Sequence, residues 1–572
     1  MKVLKIESYN NKNKINFKQK QILTKPNLTS KIDMFCKSNE VKNIFMDMFI
    51  SLRDKFGDVI YPILLKYNIS SWDFYINSTD ENLDIMTNNY DEYKNLWKNE
   101  SLYKEFLEYK NKDLSEHEAK QLKEILKNFE DEITSGEVLK VLSDKENEIA
   151  QKYNSYVPKI DGKETTKAEI NKILETETDP LIRQKAYKAN IIGGDLIAND
   201  LKDFVIKRNE YAKTKGYSNF FEYKLKETYD VDINELQILL NDVYEKSKVL
   251  IKQELEKTQN DLSNTFGIKK EDLQSYHYGL LTENNPEKFV NEEFKTKEQI
   301  VEIAKKTYFN MGYDIDKLQK DGKLILDLFP RKGKNTHGFC FGIDPEKDAR
   351  ILANLTNNSL SLETLNHELG HCVYTLNNSK DLSFFDRDEY PAMTEAVAMM
   401  MQDLQKRENI LADYVPQNIL NDYKKTFVEG EIKFLTKALT LINFEKQMYE
   451  NPEQDLAKLW KDMKVKYQMR SEKEELDNGW ATIPHFLSHP AYYQNYFRAT
   501  LIKAQMYNKL VSELGCLTEN KKTAQYLKEN LLKFGKSKEE NELIENLTGK
   551  KLSVDDFIKS LNNLSVILKN FL

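Results

Sequence analysis

Five consecutive residues, His367-Glu368-Leu369-Gly370-His371, place two imidazoles four positions apart with a carboxylate beside the first. On a helix, positions i and i+4 face the same way with Cβ atoms about 5–6 Å apart, so both rings can reach one ion. Glu368 then lies beside the metal and can deprotonate a bound water. The chain has only 7 His in 572 residues, and chance yields this pattern in fewer than about one such chain in a hundred. The residues point to a zinc centre rather than to two unrelated histidines on a helix.

Catalytic zinc usually keeps three protein ligands and one water, so a third ligand is required. Downstream lies Asp388-Glu389-Tyr390-Pro391-Ala392-Met393-Thr394-Glu395-Ala396-Val397-Ala398-Met399. Pro391 suits the first turn of a helix. Glu395 then falls near the start of a helix of small and apolar residues, an odd place for an unpaired carboxylate. A solvent-facing glutamate or a cap partner is the alternative, but the upstream motif favours a ligand. Two histidines and a glutamate suit zinc over magnesium or copper, and one Zn2+ ion is expected.

These side chains need elements to hold them. Leu362, Leu365, Leu369 and Val373 give the motif helix a buried stripe, and Cys372, about 100° round the helix from His371, reads as packing. Just upstream, His337 to Ile343 alternates large apolar with small residues, and Ile351 to Leu355 follows a turn at Asp344-Pro345. This pair is the best strand or hairpin candidate in the chain. Elsewhere the pattern is helical. Thr296 to Gln299 reads as a capping box, Ile300, Ile303, Ala304 and Met311 mark one apolar face, and Gly312 fits the end. Residues 115–153 read as another long, charged, amphipathic stretch.

Composition agrees. Gly 19 and Pro 12 are well below the usual shares of roughly 7% and 5%, so a mainly α fold is expected and β-sandwiches and propellers are excluded. A net charge of −7 gives no global signature for nucleic acid. The four cysteines are far apart in sequence, which argues against a disulfide framework. The N-terminal residues lack a secretory h-region, and no apolar run approaches the roughly 18 residues of a membrane span. A cytoplasmic monomer is expected: a loose arm over 1–35, then one helical domain over 36–572 with its catalytic core at about 330–500.

With these motifs in place, the chain resembles the gluzincin oligopeptidases, namely the angiotensin-converting-enzyme family and the thimet oligopeptidase and oligoendopeptidase F family. In the former the zinc glutamate follows the second histidine at the separation of His371 and Glu395, and Thr394-Glu395-Ala396 is similar to its glutamate segment. That family also carries a His-Ala strand segment at the place of His337-Gly338, where backbone groups bind extended substrate. Arg331 to Lys334 followed by Gly338-Phe339-Cys340 looks more like oligoendopeptidase F. Residues 72–82 and 207–217 are similar to converting-enzyme blocks. The implied fold is an elongated helical body with two lobes flanking a deep substrate channel and a small β segment beside the motif helix.

The resemblance extends to the segment from Ile483 to Tyr496, which holds His485, His489, Tyr492, Tyr493 and Tyr496. Read alone, it is equally a core aromatic stripe. Both families place a histidine and then tyrosines opposite the zinc, which implies Tyr496 as the oxyanion donor, Tyr493 as its substrate-binding partner and His485 as the assisting histidine. The spacing leaves His489 as a competitor to His485. Ile483, Asn495 and Met399 stand where converting enzymes have a carboxylate-binding lysine, a chloride-holding arginine and an aspartate. The implied activity is therefore internal cleavage of short peptides, with Glu368 as base. Carboxypeptidase or peptidyl-dipeptidase action, or zinc binding without catalysis, are the alternatives.

Overall fold

Scarce glycine and proline leave long helices unbroken: the computed structural model is 71% helical, about twice the share of an ordinary globular domain. It describes residues 39–282 and 285–569, so the arm expected over 1–35 lies outside the described residues. The architecture is mainly α, with a two-stranded and a three-stranded sheet among the described residues. None of the described helices is long and apolar enough to cross a membrane.

Local signals set the helix ends. Thr296 accepts from the backbone N–H of Gln299 to start the helix Lys297–Met311, and Gly312 ends it in the left-handed region at φ 105°. The Gln299 side chain reaches back one residue further than a capping box requires, to the N–H of Lys295. The stretch 115–153 is two helices, Glu116–Ile133 and Gly136–Asn154. The Thr134 hydroxyl and the N–H groups of Thr134 and Ser135 all converge on the carbonyl of Glu130, which closes the first helix.

The hairpin forms as Phe339–Asp344 antiparallel to Asp348–Leu352, with Phe339 opposite Leu352 and an irregularity between Gly342 and Asp344. A third strand, Leu324–Asp327, adds in parallel on the far side; four residues in isolation are too few to show a period of two. The order leaves Phe339–Asp344 as an edge strand. Trp72 and Tyr75, from the helix Asn39–Ile76, pack on it: Trp72 meets Phe341 edge-on at 6.3 Å and Tyr75 meets Phe339 at 5.3 Å.

One buried histidine outside the site sets a pH dependence. His277 is 3% exposed, accepts the Gln274 N–H at Nδ1, and is held down to about 4 by burial and then by the Arg183 charge. The unfolded chain therefore binds the extra proton between about pH 4 and 6.5, so this contribution is complete above 6.5 and lost as pH falls towards 4. Urea unfolding at pH 7, 5.5 and 4.5 is expected to show a flatter pH slope for His277→Gln than for the wild type. Equal slopes would refute it.

Candidate active site

The motif helix, Ser359–Asn377, starts at Asn358, whose side chain accepts from the N–H of Ser361. Its stripe of Leu362, Leu365, Leu369 and Val373 is at most 1% exposed. The glutamate helix, Pro391–Arg407, has proline in its first turn as expected, and the two helices pack along one another. Their closest approach is at Gly370: a Cβ there would lie 2.7 Å from the Ala398 Cα. Gly370→Ala must push backbone from backbone, an overpacking worth about 1–3 kcal/mol. It is expected to lower the melting temperature of the metal-free protein and to weaken zinc binding; an unchanged melt and zinc affinity would show that the helices part freely.

This contact brings the three candidate ligands together. The Nε2 atoms of His367 and His371 are 3.1 Å apart, and they lie 3.6 and 3.9 Å from Glu395 Oε2. A tetrahedral zinc with bonds of about 2.0–2.1 Å needs ligand atoms about 3.3–3.4 Å apart, so the set fits zinc with small adjustments. Each ring is held from behind. His367 Nδ1 donates to Gln402 Oε1 at 3.1 Å and His371 Nδ1 to Thr394 Oγ1 at 2.9 Å, which leaves both Nε2 lone pairs facing inward. Thr394 hydrogen-bonds in turn to the half-buried Glu389, which also accepts from Thr375 at 3.0 Å.

The electrostatics call for a cation. Burial holds both histidines neutral, His367 at about 4 and His371 well below its usual value. Burial pushes Glu395 up to about 7, against the Tyr492 hydroxyl that favours its charge. Glu395 Oε2 is buried with no hydrogen-bond partner, and it is the oxygen aimed at both rings. Burial, then the nearby Glu395, raises Glu368 to about 8, while the Cys340 N–H hydrogen-bonds its carboxylate. Glu368 is thus placed between the ligand set and the edge strand.

A family model for peptidase family M3 matches residues 173–563. The chain belongs to peptidase family M3. It is a zinc metallopeptidase, and its ligand set, Glu368 and tyrosine segment all fall within the matched span.

The M3 peptidase holds these groups in a cavity of about 800 Å³, lined by His367, Glu368, His371, Glu395, Gly338 and Cys340 among others. The same cavity is lined by Tyr61, Leu64, Leu65, Tyr93 and Trp97, all upstream of the predicted core at 330–500. A larger groove of about 1010 Å³ between Glu298 and Arg331 holds none of the candidate site residues. Cys372 is buried, and its Sγ lies 2.7 Å from that of Cys340, joining the motif helix to the edge strand.

Tyr496 lines the main cavity together with Tyr492, whereas Tyr493 and His485 are not among its lining residues. The Tyr493 and His485 rings meet at 4.9 Å, tilted by 54°, and His485 lies 6.0 Å from the Tyr496 ring. His489 is exposed and bonded to Ser488. His337 is exposed on a separate cavity of about 370 Å³ beside Tyr75 and Asn335, while the adjacent Gly338 faces the main one. Tyr492, Gln402, Thr394 and Glu389 were not singled out from sequence; no spacing rule marks them.

Proposed function

We propose that this M3 peptidase is a cytoplasmic oligopeptidase that cuts internal bonds of short, unstructured peptides with one zinc ion held by His367, His371 and Glu395. The observation that carries this is the convergence of those three ligand atoms, beside Glu368 and the edge strand of the sheet, inside one cavity. When bound, zinc supplies Lewis acidity to the scissile carbonyl and lowers the pKa of a water towards about 7.

The chain's own residues do the rest. The edge around Gly338 to Gly342 receives the peptide backbone as an added strand, which recognises extended chain whatever its side chains. Glu368 takes the proton of the attacking water and delivers it to the departing amine. The Tyr496 hydroxyl, which burial keeps protonated well above the usual tyrosine range, donates to the developing oxyanion. His485, neutral because burial lowers it to about 4, packs against the three tyrosine rings and supports their orientation. A cavity of about 800 Å³ admits extended peptide and excludes folded domains.

The test is mass spectrometry of internally quenched peptides of increasing length, with and without a zinc chelator. Chelator-sensitive internal cuts that vanish for long or folded substrates are expected. Removal of C-terminal residues alone would make it a carboxypeptidase, and zinc binding without cleavage would overturn the enzymatic reading.

A further inference from the structure

Each candidate metal ligand is gripped on its outer side, but not from the same element. The two histidines are held by Gln402 and Thr394, both on the glutamate helix. Glu395 is held from elsewhere: the Tyr492 hydroxyl donates to its Oε1 at 3.1 Å. The carboxylate is thereby divided. Oε1 is occupied, and Oε2 remains buried, partnerless and within 3.9 Å of both Nε2 atoms.

We propose that Tyr492 is a positioning residue for the metal centre, fixing the rotation of Glu395 so that a single oxygen faces the ion. It also ties the ligand set to the segment that carries Tyr496. The proposal rests on the metal reading given above.

The placement of Tyr492 is itself over-determined. Ala491, just before it, sits in the left-handed region at φ 62°, where a side chain is disfavoured and persists only if its surroundings impose it. Here they do: the Ala491 N–H donates to Glu445 Oε1 at 2.8 Å, and Glu445 is 1% exposed. Upstream, Arg208 holds the carbonyls of Phe486 and Leu487. The Tyr492 ring is flanked by Tyr496 at 5.1 Å, His485 at 5.7 Å and Tyr229 at 6.2 Å. Both the ring and the hydroxyl are therefore constrained, as a group that orients another must be.

The experiment measures zinc affinity of the full chain by competition with a chromophoric chelator, and the visible spectrum of the cobalt(II) form. Tyr492→Phe keeps the ring and removes only the hydroxyl. It is expected to weaken zinc binding by about 10–100-fold and to alter the cobalt bands, with the melt of the metal-free protein unchanged. Tyr229→Phe, which removes a neighbouring hydroxyl that reaches Pro490 and not Glu395, is expected to change neither. Glu445→Gln, which weakens the hold on Ala491, is expected to shift zinc affinity in the same direction by less, and it serves if Tyr492→Phe does not fold. Wild-type zinc affinity and cobalt bands in Tyr492→Phe would overturn the proposal while leaving the metal reading intact. A wild type that binds no zinc would overturn both.

Discussion

Glu368→Gln is expected to retain zinc and to lose peptide hydrolysis almost entirely. The substitution keeps shape and volume, and the remaining amide oxygen can still accept from the Cys340 N–H that now bonds the carboxylate. None of the three candidate ligands is touched. What disappears is the only group on the motif helix placed to take a proton from water beside those ligands. A positioned base is worth about 10²–10⁴ in rate, and here the same carboxylate also serves the leaving amine. Zinc content and kcat/KM measured on one preparation check it: full activity with zinc bound would remove Glu368 from the mechanism, whatever the metal does.

Tyr496→Phe is expected to lower kcat by about 10²–10³ with little change in KM or zinc content, the signature of a donor used in the transition state and not in the ground state. The assignment separates the tyrosines by position. Tyr496 lines the cavity that holds the ligands and Tyr493 does not, so Tyr493→Phe is expected to cost much less. If Tyr493→Phe proved the more damaging, the oxyanion role would pass to Tyr493.

The chemistry was legible where it depends on spacing along one element. The motif helix declares both histidines and Glu368 because four residues make one helical turn. Glu395 was visible as a carboxylate among small apolar neighbours, and the hairpin as alternation followed by a turn. Groups that meet across elements were not legible. Gln402, Thr394 and Glu389 are ordinary polar residues until two helices close on each other at Gly370. Tyr492 carries no such signal because its aim is set outside regular helix: the helix begins only at Tyr493, and the left-handed Ala491 turns the chain just before Tyr492. The long stretch over 115–153 looked continuous because its break rests on one carbonyl, that of Glu130, drawing in three donors.

The aromatic backing of the edge strand comes from a part of the chain remote in sequence from the ligands. Trp72 and Tyr75 pack on the strand, and Tyr61, Leu64, Leu65, Tyr93 and Trp97 line the cavity that holds the ligands, yet all seven precede the family-matched span of 173–563. The cavity around the ligands is thus completed by residues from a stretch of the polypeptide that lies outside the matched span. Substitutions at Tyr93 or Trp97 therefore reshape the cavity without touching the helix pair that carries the ligands.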